Sequence, residues 1–189
     1  MSKLIDVTYP FSPKLIEEVS KMEPKVLSGH FATHLDIMDR QFPLDYVKRR
    51  AVLFDVREFC ESRPVDVGDV DWGLIEPDMM IVFYSGRSER YDYRSKEYHK
   101  QHPQLSQWLI DRLLENRISL IGIDFAGIRR GGEHALADQD CADRDVYVVE
   151  NLVNLKEVPA NIPFMAYTFP QAYIHTSGLP CRVVFEVEE

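Results

Sequence analysis

The chain has 189 residues, 45% hydrophobic and 28% charged, enough apolar content for one buried core and too little length for two sizeable ones. Aromatic residues make up 11% and apolar runs recur throughout, which excludes a disordered chain. With 22 Lys and Arg against 31 Asp and Glu the net charge is −9, and no stretch nears the roughly 20 apolar residues of a bilayer span, so neither nucleic acid nor a membrane is an expected partner.

The opening Met1-Ser2-Lys3-Leu4-Ile5-Asp6 lacks an apolar core of signal-peptide length. Runs rich in β-branched residues at Leu4–Thr8, Ala51–Val56, Met79–Tyr84, Leu120–Asp124, Val146–Glu150 and Arg182–Val187 each predict a strand. Prolines 10, 43, 64, 77, 103 and 163 mark short loops between them. Gln104–Asn116 sets Leu105, Trp108, Leu109, Arg112 and Leu113 on one helical stripe that ends at Asn116, and Ala135–Arg144 predicts a second, shorter helix. Strands outnumber helices without a regular βαβ alternation, so the expectation is one mixed α/β domain over residues 1–189 in which strands predominate. Cys60, Cys141 and Cys181 are far apart and odd in number, fitting neither a disulfide framework nor a thiolate zinc site, and a reduced cytoplasm is the expected location.

The segment Ser28-Gly29-His30-Phe31-Ala32-Thr33-His34-Leu35-Asp36 carries the most chemistry. In an extended chain side chains alternate faces, so His30, His34 and Asp36 project together and offer nitrogen and oxygen donors suited to Zn or Mn. The same pattern also describes half-buried histidines in a polar strand. Glu150 ends a nearly continuous apolar strand, where a carboxylate is costly to bury unless it is paired or metal-bound, although it can equally cap the next turn. His134 and Asp138 lie four residues apart on one helix face, as ligands or as a solvated polar pair. The turn Arg129-Arg130-Gly131-Gly132 offers two guanidinium groups for a carboxylate. Arg87, Glu89 and Arg90, and the run Lys48-Arg49-Arg50, read as solvated charge; His99 and His102 flank a helix start near Pro103 in structural positions, and His175 has no partner in sequence. A phosphate loop, a zincin helix and a nucleophile elbow are all lacking.

In order, these pieces resemble the metal-dependent cyclase/kynurenine formamidase (arylformamidase-like) family over nearly the whole chain. Its HxGTHxDxPxH signature corresponds to residues His30 to Arg40, its ENLxNL element to Glu150-Asn151-Leu152-Val153-Asn154-Leu155, its VGID strand to Leu120–Asp124, and its DLT-x-P start to Ile5–Pro10. The resemblance implies a swivelling β/α/β domain, with a mixed sheet and few helices, assembling as a homodimer or homotetramer. It implies a divalent metal, Zn or Mn, held by His30, His34, Asp36 and Glu150. Asp138 stands where the family has a further histidine, with His134 one helical turn earlier. The implied activity is hydrolysis of a C–N bond in a small amide, N-formyl or cyclic amide substrate. Arg40 replaces the last signature histidine, and arginine stays protonated, so it is expected to contact substrate or an oxyanion while Asp39, Asp138 or His134 accepts the proton. Ala32 for Gly and Met38 for Pro are further departures. The alternative reading is a family member altered into a small-molecule binding or regulatory protein.

Overall fold

Near-continuous apolar runs and alternating ones form two kinds of strand, buried on both faces or on one. In the computed structural model, which describes residues 2–10, 12–21 and 28–188, the continuous runs are β3 (Lys48–Asp55), β4 (Met80–Tyr84), β5 (Leu120–Ile123) and β6 (Tyr147–Glu150), paired in parallel in that order. The antiparallel strands are β1 (Ser2–Asp6), β2 (His34–Asp36), β7 (Phe164–Pro170) and β8 (Gly178–Glu188). β8 is long enough to meet β2 through Gly178–Pro180 and β7 through Cys181–Glu186. The sheet therefore closes into a barrel-like ring, β8-β2-β6-β5-β4-β3-β7 and back to β8, with β1 added along β8. This is the mixed sheet with few helices that the sequence implied.

Alternate residues divide between two cores. Leu35, Leu53, Val82, Leu120, Val149, Val183 and Phe185 fill the ring. Here Gly122 is required, since a Cβ would meet Met80 Cε at 2.6 Å and Leu152 Cδ1 at 3.0 Å. Val52, Ile81, Phe83, Ile121 and Val148 face outward beneath two helices, named with their fellows in chain order: α1 (Pro13–Ser20), α2 (Arg87–Arg90), α3 (Lys96–His99), α4 (Gln107–Glu115) and α5 (His134–Ala142). From α4 come Leu109, Ile110 and Leu113, and from α5 Ala137 and Cys141. Ser106 caps α4 by accepting the Leu109 amide, and Asn116 ends it as expected.

The expected strands are present with ends shifted by a few residues, while β7 and α1 were not foreseen. The Trp108 expectation is corrected: that ring is 76% exposed, because the buried stripe runs through Leu109, Ile110, Leu113 and Leu114. Lys48, Arg49 and Arg50 open β3 and are not merely a solvated run. All three cysteines are free and buried. Among the described residues no helix is long and apolar enough to cross a membrane.

Candidate metal centre

Strand parity builds the site. Leu35 points into the ring, so His34 and Asp36 face outward on the same edge. β2 pairs with β6 so that His34 lies directly opposite Glu150, whose neighbour Val149 points inward and leaves the carboxylate outward. The helix α5 covers that outer face and brings Asp138 to it, with His134 at its first turn. Residues more than a hundred positions apart thus share one spot.

His34 Nε2 is 3.4 Å from Asp36 Oδ1 and 3.6 Å from Glu150 Oε2. His134 Nε2 is 3.1 Å from both Asp138 Oδ2 and Glu150 Oε1, so Glu150 links the two histidines through its two oxygens. His30 Nδ1 lies 2.7 Å from Asp36 Oδ1, and its Nε2 lies 2.8 Å from Ser177 Oγ. The route to that position differs from the simple alternation expected. His30 precedes the strand, in a turn where Gly29 (φ 82) and Ala32 (φ 50) are left-handed. Only glycine fits at 29, because a Cβ there would sit 1.9 Å from the Gly178 carbonyl oxygen.

A buried polar net orients the pair. His34 Nδ1 is 2.9 Å from the Ala32 carbonyl, which also accepts from Asn151 Nδ2 at 2.9 Å. That bond leaves His34 Nε2 turned to the carboxylates. Tyr98 donates to Asn151 Oδ1 at 2.9 Å, and Thr33 Oγ1 donates to the Asn151 carbonyl at 2.8 Å.

Electrostatics follow from the crowding of buried carboxylates. Burial alone would lower His34, but Asp36 and Glu150 overcome it and push the imidazole up to about 9. Burial would raise Asp36, yet the adjacent His34 and His30 hold it well below the usual carboxylate range. Hydrogen bonds to Asp138 and Glu150 raise His134 to about 11. Burial, then the charge of Asp36, pushes Asp138 up to about 7. Asp36 Oδ2 and Asp138 Oδ1 are buried without a hydrogen-bond partner among the described residues. Two orphaned anionic oxygens beside imidazole nitrogens fit a divalent cation with mixed nitrogen and oxygen ligands. The ligand atoms of His30, His34 and Asp36 all lie within 4.8 Å of one another.

A cavity of about 690 Å³ exposes this set, lined by His30, His34, His134, Asp138 and Glu150 with Met38, Tyr93, His99, His102, Asn151 and Ser177. Asp39 and Arg40 do not line it. Arg40 pairs with Asp143 and lies 3.5 Å from Asp39, whose carboxylate also accepts from Gln139, so both point along the surface of α5. They border a neighbouring groove that shares only Met38 and Ser177 with the cavity. Arg40 and Asp39, expected at substrate and in proton transfer, thus lie in that neighbouring groove, just past the left-handed Met38 (φ 54). His102, read from sequence as a helix-flanking residue, is in the cavity wall: its Nδ1 is 2.8 Å from the Pro103 carbonyl, its ring stacks on Phe125, and burial lowers it to about 4. His99 and Tyr93 were missed likewise, since nothing local marks them. Arg129 is engaged by Leu105 and Glu133, and the Arg129–Gly132 turn contributes only Gly131 to the cavity wall.

A ring-closed mixed sheet with a mixed nitrogen and oxygen donor set on its outer edge defines the class of molecule. The Cyclase family model, described as "Putative cyclase", matches residues 5–129, and the chain belongs to this family. A potential metal-dependent hydrolase with cyclase activity superposes with TM-score 0.73 at 21% identity over 100% of both chains. A predicted metal-dependent hydrolase from Bacillus stearothermophilus gives 0.73 at 20% identity over 98% of each chain. Isatin hydrolase A from Labrenzia aggregata, bound to benzyl benzoate, gives 0.74 at 16% identity over 100% of this chain and 94% of the other. At these identities the likeness is one of fold. No curated protein gives a significant sequence match.

Proposed function

We propose that the chain is a divalent-metal-dependent hydrolase that cleaves the C–N bond of a small amide, N-formyl or cyclic amide. The observation that carries this reading is the convergence of His30, His34 and Asp36 with Glu150 across the β2–β6 pair, together with the orphaned oxygens of Asp36 and Asp138. In this reading His30, His34, Asp36 and Glu150 hold the ion, with Asp138 and His134 beside them. A divalent ion supplies Lewis acidity toward a carbonyl oxygen and toward water near neutral pH. The protein's own groups do the rest. The Ala32 carbonyl fixes the tautomer of His34. Asp138, lining the cavity with its Oδ1 buried and unpartnered among the described residues, is the carboxylate placed to take a proton and return it to the departing nitrogen. His134, partly exposed and bonded to both carboxylates, connects that proton to solvent. The fold neighbours named as metal-dependent hydrolases and isatin hydrolase support the reaction class.

The test is metal content followed by turnover. Protein purified without chelator is expected to carry stoichiometric Zn or Mn that His34→Ala abolishes and His99→Ala leaves largely in place. The loaded protein is expected to hydrolyse members of a panel of N-formyl arylamines and lactams. Metal-free protein after reconstitution, or equal loss in the two variants, refutes the assignment. Bound metal with no turnover across the panel favours the binding-protein reading.

A further inference from the structure

A second, less polar cleft adjoins the donor cavity. This cleft, about 750 Å³, has Leu15, Phe31 and Tyr93 in its floor and Lys96 and Lys100 along its edge. It shares the wall residues Tyr93 and His99 with the donor cavity. Leu15, Phe31 and Tyr93 are 2%, 8% and 8% exposed, which makes them packed walls and not mobile surface groups. Tyr93 is pinned as well: its hydroxyl accepts the Ala32 amide at 2.8 Å, tying the cleft wall to the turn that carries His34.

The donor cavity mixes the carboxylates of Asp138 and Glu150 with the imidazoles of His30, His34 and His134. The cleft edge carries Lys96 and Lys100, with Glu18 also in its lining, in a chain of net charge −9. Arg94 and Lys21 also reach it, but Arg94 is paired with Asp92 and Glu18, and Lys21 with Glu17. Lys96 and Lys100 are exposed, and among the described residues neither ammonium group has an ion pair or hydrogen bond. Four residues apart at α3 and its end, they are neighbours on one helical face. An apolar floor flanked by two uncommitted cations suits a ligand with an apolar body and an anionic end.

We propose that the cleft binds the anionic end of the substrate: the chain takes a small amide bearing a carboxylate, its apolar body over Phe31 and Tyr93, its carboxylate between Lys96 and Lys100, and its amide at the donor cavity. The word substrate rests on the hydrolase reading; the binding site does not. The test uses benzoate and benzamide as probes, titrated by NMR into the full chain with chelator present, so that no metal ligates the carboxylate. Benzoate is expected to saturate the wild type at millimolar concentration and benzamide to bind about tenfold more weakly. Lys96→Met/Lys100→Met, which keeps the apolar stems, is expected to remove that preference, Lys96→Arg/Lys100→Arg to keep it, and added salt to weaken benzoate alone. Equal binding of the two probes, benzoate binding unchanged by the Met variant, or no saturation by benzoate overturns the proposal. On metal-loaded protein, 4-formamidobenzoate is expected to exceed formanilide in kcat/KM by about tenfold, and the Met variant to bring the ratio toward one. Equal turnover of both substrates by the wild type also overturns the anion site, whereas no turnover of either, with benzoate binding intact, removes the hydrolase reading and leaves the site.

Discussion

Metal-free protein is expected to lose stability as pH rises from 6.5 to 9, the reverse of what metal-loaded protein does. The perturbation is deprotonation of His34, fully buried between Asp36 and Glu150. Those carboxylates hold its proton to about 9 in the folded state, against an ordinary 6.5 in the unfolded chain. A folded value above the unfolded one adds stability that is complete below pH 6.5 and is lost as pH climbs through 9. At about 1.4 kcal/mol per pH unit, the loss across that interval is about 3 kcal/mol. For a chain of this size it corresponds to a fall in Tm of roughly 6–12 °C. His134, raised by its bonds to Asp138 and Glu150, acts with the same sign, and its partial exposure makes its share smaller. With metal bound, neutral imidazoles are the ligands, so stability instead rises with pH through the same interval. The assay is thermal unfolding followed by circular dichroism at constant ionic strength, with chelator or with added Mn, for wild type and His34→Gln. The Gln variant is expected to flatten most of the chelated curve. A chelated wild type whose Tm is flat or rising from pH 6.5 to 9, or a His34→Gln variant with an undiminished slope, refutes the electrostatic account of the cluster.

Three other outcomes follow from particular contacts. Gly127→Ala places a Cβ 2.8 Å from both Cε1 and Nε2 of His134 at a φ of 113°, so it is expected to displace that imidazole, weaken Mn binding measured by calorimetry by about tenfold, and lower the Tm; unchanged affinity contradicts the placement of His134 in the donor set. His102, lowered to about 4 by burial, contributes about 3 kcal/mol that is present above pH 6.5 and lost as pH falls toward 4. Asp124, raised to about 6 by burial, runs the opposite way, so the effect is read as the difference between wild type and His102→Asn in urea midpoints at pH 4.5 and 7, which shrinks at the lower pH. Ser106→Ala removes the cap of α4 and its bond to Asp66, with an expected loss of about 1 kcal/mol in urea unfolding; no loss means the cap is replaced by water.

The residues of the donor set stand out locally as candidates, and the family resemblance is what joined Glu150 and Asp138 to His30, His34 and Asp36. His30, His34 and Asp36 crowd one short segment, Glu150 is a charge ending an apolar strand, and His134 and Asp138 share a helix face at a spacing of four. The alternation argument worked for His34 and Asp36, which do lie on one strand face, and failed for His30, which reaches Asp36 through a left-handed turn closed against Gly178. Arg40 and Asp39 are close to the site in sequence, and just past the left-handed Met38 they engage Asp143 and Gln139.

Composition and periodicity by themselves determined the strand-rich α/β class, the paired imidazoles and the carboxylates available to them, since those depend only on which side chains recur and at what interval. The ring closure, the opposition of His34 and Glu150, and the entry of Tyr93, His99 and His102 into the cavity were decided by the tertiary structure alone. Register between strands distant in the chain is set by the summed burial of two cores, and no short window of sequence contains that sum.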